Sequence, residues 1–305
     1  VKKDLLSVVD LSRGEVEQLV EQALVMKQGG MRCLLPWRSV ALLFEKPSLR
    51  TRVSFDVAVA QLGGHCLYLS PQEVGLGKRE PVPDVARVLS RYVDCIVARV
   101  FSHQTLVALA QSASISVINA LSDVEHPCQA LADLLTIREK KGRMEGLRLA
   151  FVGDGNNVAR SLALLSAMMG VDFAIASPAG YQLDEDTVKQ ARSLAAINGS
   201  KVVVTGDPAE AVRDADVVYT DTWASMGQEE ETGARRKAFA DYQVNGSLLS
   251  LAKQDVVFMH CLPAHHGEEV TSDVLNGPAS IVFDQAENRL HIQKAVLAQI
   301  LLAPD

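Results

Sequence analysis

Within Ser48-Leu-Arg-Thr-Arg52, two hydroxyls and two guanidinium groups fall in five consecutive residues. Hydroxyls donate hydrogen bonds, and a guanidinium fork meets an oxyanion through two parallel bonds, so the chemistry they suit is anion binding. The anion inferred is a phosphate. The surrounding pattern puts these groups at the start of a helix. Pro47 disfavours helix at Lys46, Ser48 reads as the N-cap, and the helix begins at Leu49. Val53, Val57 and Ala60 then recur on one face until Gly63-Gly64 ends it. Cations are disfavoured at the positive end of a helix macrodipole. Arg50 and Arg52 in that first turn are best explained by an anion shared with the free backbone N–H groups. The alternative is a capped surface helix with solvated arginines.

The elements that position this stretch alternate strand and helix. An opening helix spans 12–27, capped at Ser12 with Glu15 three residues on. Short apolar runs follow at 40–44, 66–69, 95–98 and 116–119, separated by helical stretches. A second series lies at 149–152, 173–176, 202–205, 217–220, 256–259 and 281–283. Brief apolar strands between helices predict an α/β fold of two tandem domains. Each is a parallel sheet with helices on both faces, and bridging helices join the two. The expected domains are 1–140 and 141–288, with the helical segment 289–305 packing back. Two long loops are read as lids: 70–83, with three prolines and two glycines, and 222–233, polar around an exposed-looking Trp223.

In open parallel sheets ligands bind beyond the carboxyl ends of the strands. In the first domain those ends lead to Ser48, Arg50 and Thr51, to Arg99, and to His126 and Gln129. In the second they lead to Asp154, Asn156 and Asn157, to Asp221 and Ser225, and to His260 and Cys261. The first set is cationic and donating, the second carboxylate, amide and thiol. An anionic substrate held by one domain and an amine-bearing substrate held by the other fit this asymmetry. Singly, Arg99 reads equally as a strand-end surface charge and His126 as a helix cap. Phe151-Val-Gly-Asp-Gly-Asn-Asn157 lacks the third glycine of a dinucleotide turn. His260, Cys261, His265 and His266 are interrupted by Pro263 and lack metal-ligand spacing, so no metal is expected.

Thirty basic against 37 acidic residues in 305, a net charge of −7, argue against a nucleic-acid or anionic-membrane surface. Any anion site must therefore be local. Cys33, Cys66, Cys95, Cys128 and Cys261 are too scattered for a disulfide framework. With neither a charged-then-apolar leader nor a membrane-spanning apolar run, a cytoplasmic location is expected.

Four motifs carry a family resemblance. Ser48-Leu-Arg-Thr-Arg52, His126-Pro-Cys-Gln129, Asp221-Thr-Trp-Ala-Ser-Met-Gly227 and His260-Cys-Leu-Pro263 occur in order along the chain. They resemble the SxRTR, HPxQ, DxxxSMG and HCLP motifs of the ornithine carbamoyltransferases. The first two motifs are shared with aspartate carbamoyltransferase; SMG and HCLP point to ornithine. The resemblance implies transfer of a carbamoyl group from carbamoyl phosphate to ornithine's side-chain amine, without a cofactor, in a trimer or multiple of trimers. It implies that Ser48, Leu49, Arg50, Thr51, Arg99, His126, Gln129, Cys261, Leu262 and Arg289 bind carbamoyl phosphate. Asn157, Asp221, Ser225 and Met226 would bind ornithine, and Arg99, His126, Asp221 and Cys261 would be catalytic. Gly75 departs from the pattern, standing where the family usually has a Gln or His that reaches a neighbouring subunit's site. Alternatives are a carbamoyltransferase for putrescine or acetylornithine, a non-catalytic protein of the same fold, and a nicotinamide dehydrogenase.

Overall fold

Ser12 opens the first helix as a capping box: its Oγ accepts from Glu15 N at 3.3 Å while the Glu15 carboxylate accepts from Ser12 N at 2.8 Å. The computed structural model describes residues 3–31, 33–224 and 231–302. The chain divides into two units, one made of residues up to Leu135 with those from Glu287 on, the other of Thr136–Ala286.

The first unit runs α1 (Arg13–Lys27), β1 (Ser39–Phe44), α2 (Leu49–Gln61), β2 (His65–Leu69), α3 (Pro71–Val74), α4 (Val82–Leu89), β3 (Cys95–Arg99), α5 (His103–Ser112), β4 (Ser116–Leu121) and the start of α6 (Pro127–Lys141). Its four strands are parallel in the order β2-β1-β3-β4. β1 and β3 are buried almost throughout, as strands covered on both faces must be. Register pairs Phe44 with Arg99 and Arg99 with Leu121, so the strands that precede the candidate site residues end side by side.

The second unit continues with β5 (Arg148–Val152), α7 (Asn157–Met168), β6 (Asp172–Ala176), α8 (Glu185–Asn198), β7 (Val202–Thr205), α9 (Pro208–Val212), β8 (Val217–Thr220), α10 (Thr232–Ala238), α11 (Gly246–Leu249), β9 (Val257–His260) and α12 (Ser272–Leu275). Its parallel sheet has the order β7-β6-β5-β8-β9. A last helix, α13 (Val282–Leu301), begins in this unit and ends in the first.

One expected strand is corrected. Residues 281–283 are not a strand: α13 starts at Val282. A three-residue apolar run carries too little periodicity to tell a strand from the first turn of a helix. The core face of α2 is Thr51, Phe55, Ala58 and Val59, whereas Val53, Val57 and Ala60 are exposed. Phe55 is fully buried, a contribution of about 1.5–3 kcal/mol for an aromatic side chain. The 70–83 stretch is partly ordered into α3, closed by a Ser70–Glu73 capping box. Gly75 ends α3 with a left-handed φ of 57°, and a Cβ there would stand 2.8 Å from Arg79 Cβ. Local geometry thus accounts for the glycine.

Candidate active site

In the first unit the sequence gives α2 the cap it calls for: Ser48 Oγ accepts from Thr51 N at 3.3 Å. Leu49, the first residue of α2, is 77% exposed. Thr51 is buried, and its hydroxyl accepts from Arg289 Nη2 at 2.7 Å. A residue from the far end of the chain is thereby fixed beside the helix terminus. The two arginines of the motif part company. Arg50 is half-buried, while Arg52 lies over the Tyr68 ring at 3.8 Å.

His126 precedes α6, and its side chain is buried. Burial above all, then the positive charges of Arg289, Arg99 and Lys46, hold its imidazole well below the usual histidine range, so it is neutral at pH 7. Lys46 is itself pushed down by burial and by Arg99. It sits over the Phe101 ring at 4.8 Å. Three cations thus act on one neutral imidazole beside a helix N-terminus, while Asp123 and Glu45 act on Lys46 in the opposite sense.

Gln129 donates from Nε2 to Asp133 Oδ1 at 2.8 Å, which fixes the orientation of its amide. Its Oε1 is buried without a hydrogen-bond partner among the described residues, an acceptor available to N–H groups. Glu125, just ahead of His126, is buried and accepts from Val8 N at 3.0 Å, tying this segment to the start of the chain. Cys128 is structural. Burial pushes its thiol up to about 12, and Sγ donates to Asn119 O at 3.6 Å.

In the second unit the centre is Asp221, 8% exposed just past β8. Oδ1 accepts from Thr222 N at 2.8 Å and from Cys261 Sγ at 3.0 Å, and Oδ2 accepts from Asn156 Nδ2 at 2.9 Å. Asn156 is also the N-cap of α7, where its Oδ1 accepts from Val158 N and Ala159 N at 3.0 Å each. It therefore aims the carboxylate and closes the helix at once. Asn157 is the first residue of α7 and half-buried. Gly155 is required structurally: its N–H donates to Tyr181 O at 2.7 Å, and a Cβ there would stand 2.3 Å from Leu183 N. Ser225 and Met226 lie outside the described residues.

Trp223 is buried, contrary to its polar surroundings in the sequence, and stacks on Phe239 at 5.8 Å. Arg235 fixes this segment. Nη1 donates to Asp154 Oδ2 at 2.7 Å and to Trp223 O at 2.8 Å, and Nε donates to Glu231 Oε2 at 2.9 Å. Burial opposes the charge on Arg235, but Asp154 and Glu231 outweigh it and raise its proton affinity further.

Ligating atoms of Asp221, His260 and Cys261 lie within 4.8 Å of one another, as do those of His265, Glu268 and Glu269. In the first group His260 has no nitrogen to spare for an ion: Nδ1 accepts from Leu262 N at 2.8 Å, and Nε2 meets Glu269 Oε1 at 3.2 Å. Lys46, Arg235 and Glu269 carry no site signal in the sequence, whereas Asn156 stands among the residues at the strand ends. Asn156 carries a readable signal as the cap-type residue before α7; the others are placed by contacts distant along the chain. Among the described residues no helix is long and apolar enough to cross a membrane.

Two parallel-sheet units, one ending on cationic and amide groups and the other on a carboxylate and thiol, define a two-domain α/β transferase. Residues 3–139 match the family model "Aspartate/ornithine carbamoyltransferase, carbamoyl-P binding domain", and residues 145–300 match "Aspartate/ornithine carbamoyltransferase, Asp/Orn binding domain". The chain belongs to the aspartate/ornithine carbamoyltransferase family. It is 52% identical over 303 residues to the anabolic ornithine carbamoyltransferase of Pyrococcus furiosus, covering 98% of this chain and 96% of that protein. It is 49% identical over 302 residues to the catabolic enzyme of Thermoplasma volcanium, covering 98% and 99%. The solved ornithine carbamoyltransferase of Pyrococcus furiosus superposes with a TM-score of 0.97 at 51% identity, covering 100% of this chain and 99% of that one.

Proposed function

We propose that this protein transfers the carbamoyl group of carbamoyl phosphate to the side-chain amine of L-ornithine, giving L-citrulline and phosphate, in arginine biosynthesis. The observation that carries the choice of ornithine over aspartate is the buried carboxylate of Asp221, hydrogen-bonded to Asn156 and Cys261. A buried negative charge attracts a substrate ammonium and repels a substrate carboxylate.

The first unit supplies the donor half. Ser48, Arg50, Thr51, the backbone N–H of Leu49 and Arg289 hold the phosphate. Arg99 and His126 stabilise the carbonyl oxygen as it becomes an oxyanion, and Gln129 Oε1 accepts from the carbamoyl NH2. The carbonyls of Cys261 and Leu262 read the same NH2. On the acceptor side Asn157, Asp221, Ser225 and Met226 hold ornithine, with Asp221 and Cys261 nearest the attacking amine. That amine resembles lysine's, with a free pKa of about 10.4, and must be neutral to attack. Its nitrogen bonds to the carbamoyl carbon, the carbon–oxygen bond to phosphate breaks, and the departing phosphate takes the amine proton. No cofactor takes part.

The biosynthetic direction draws support from the relative named anabolic. Five free cysteines among the described residues are in keeping with a reducing cytoplasm. The exposed apolar face of α2, with Leu49, Val53 and Val57, suits the subunit contacts of a homotrimer or a multiple of trimers. Citrulline formation measured side by side with ornithine, putrescine and acetylornithine tests the substrate. Ornithine should be preferred by orders of magnitude, and equal rates with another amine would reject the reading. Restoration of growth without arginine in a host lacking this activity tests the direction.

A further inference from the structure

The geometry points to Glu269 as a positioning residue that sets the proton of His260 and, through it, the shape of the Cys261–Leu262 loop. This rests on the function proposed above, in which the carbonyls of that loop read the carbamoyl NH2.

Glu269 is fully buried on a segment held by the main chain, where Val244 N donates to Glu269 O at 2.9 Å. Its Oε1 accepts from His265 N at 2.5 Å and lies 3.2 Å from His260 Nε2. His260 is equally buried. Its other nitrogen, Nδ1, lies 2.8 Å from Leu262 N. A backbone N–H donates, so Nδ1 must present a lone pair there, and the ring proton belongs on Nε2, where it is donated to Glu269. A proton on Nδ1, alone or in an imidazolium, would set two N–H groups face to face. The carboxylate of Glu269 thereby selects the tautomer that can hold Leu262.

Leu262 needs holding. Its φ is 59°, in the left-handed region that a γ-branched residue rarely adopts. The Nδ1 bond secures the loop just after this strained residue's nitrogen. Upstream the strand end is clamped independently: His260 N donates to Gln285 Oε1 at 2.9 Å, and Gln285 Nε2 donates to Tyr219 OH at 3.0 Å. Between these fixtures Cys261 keeps its thiol 3.0 Å from Asp221 Oδ1. Remove the acceptor at Glu269 and only the Leu262 N–H still favours the Nε2 proton, which then has no acceptor in this set. Nδ1 then takes the proton part of the time, and Leu262 loses its partner.

The test uses full-length enzyme with Glu269→Gln and Glu269→Ala. The amide of Gln keeps an oxygen that can accept from His260 Nε2 and His265 N; Ala keeps none. Imidazole 15N spectra, with His260 assigned by its loss in His260→Asn, should show the proton on Nε2 in wild type and in Glu269→Gln. Glu269→Ala should show a mixture of tautomers. The kcat for citrulline should fall about 10- to 100-fold in Glu269→Ala, as expected when reacting groups are misplaced without being removed. Glu269→Gln should restore it to within about threefold. A wild-type proton on Nδ1, a folded Glu269→Ala enzyme with normal kcat, or a Glu269→Gln enzyme as slow as the alanine variant would each overturn the assignment. Should Glu269→Ala fail to fold, the wild-type tautomer and the Glu269→Gln rate decide. The spectra need no turnover. A wild-type enzyme that made no citrulline would count against the proposed reaction while the tautomer still decided the role of Glu269.

Discussion

Arg289 donates from Nη2 to the hydroxyl of Thr51 at 2.7 Å, joining residues 238 positions apart in the chain. The bond brings a second guanidinium to the start of α2, where Arg50 already stands half-buried. With Arg289 occupied in part by Thr51, Arg50 is the arginine of the Ser48–Arg52 motif best placed to grip phosphate, since Arg52 is turned onto Tyr68. Arg50→Ala should weaken carbamoyl phosphate binding by about 2–4 kcal/mol, the range for truncating one partner of a charge-assisted pair. Ornithine binding should change far less. Calorimetric titration with each substrate checks this, and equal losses for both would contradict the division between donor and acceptor halves.

His126 should remain neutral through the physiological range. Burial, with Arg289, Arg99 and Lys46 adding to it, places its folded pKa well below 6.5, while in the unfolded chain it titrates near 6.5. Below pH 6.5 the unfolded state then binds more protons than the folded state, so stability falls as the pH falls, by up to about 1.4 kcal/mol per pH unit for one proton. Above pH 6.5 this group contributes no pH dependence. Imidazole NMR should show no His126 titration between pH 8 and 6, and His126→Asn should flatten the stability slope between pH 6.5 and 5. A His126 signal titrating near 6.5 in the folded protein would disprove it.

Much of this was readable in the chain. The cap at Ser48, the helix start at Leu49 and the order of strands and helices follow from local rules that operate over a few residues. Both faces of α2 carry apolar residues, Val53 and Val57 on the outer one and Phe55, Ala58 and Val59 on the inner. Periodicity gives a helix its stripes but does not say which stripe meets the core. The polar neighbours of Trp223 suggest exposure, yet Phe239 provides its packing partner from beyond the loop. The bonds Arg289–Thr51, Arg235–Asp154 and His260–Glu269 leave no periodic trace, because each is made by tertiary folding between residues whose types alone have many uses.

Arg235 offers a stability test independent of catalysis. Its side chain is 7% exposed and bonded to Asp154, which is 12% exposed, and to the carbonyl of Trp223. Arg235→Met would keep the apolar stem but leave a buried carboxylate and a buried carbonyl without their donor. Removing one partner of a buried pair is costly, and a loss of about 3 kcal/mol is expected. Denaturant unfolding should show it as a lower midpoint with unchanged slope. A variant as stable as wild type would mean that Asp154 regains solvent.

The last prediction concerns Asp221→Asn, which keeps the shape and removes the charge. The wild-type carboxylate accepts at Oδ1 from Thr222 N and Cys261 Sγ and at Oδ2 from Asn156 Nδ2. If the new amide keeps its oxygen toward Thr222 and Cys261, its NH2 faces the NH2 of Asn156. Asn156 cannot turn over to relieve this without giving up Val158 N and Ala159 N at the cap of α7. If the amide turns the other way, the donors of Thr222 and Cys261 lose their acceptor. Either arrangement misplaces the group and costs about 1–3 kcal/mol for the unsatisfied donor. The ammonium of incoming ornithine also loses its counter-charge. A fall of at least ~100-fold in kcat/KM for ornithine is therefore expected, on the scale of losing a positioned electrostatic or acid–base group, with carbamoyl phosphate affinity little changed. In the wild type kcat/KM should rise with pH as the substrate amine loses its proton. Steady-state kinetics across pH for both enzymes provide the measurement, and a near-normal Asp221→Asn enzyme would assign this carboxylate to structure alone.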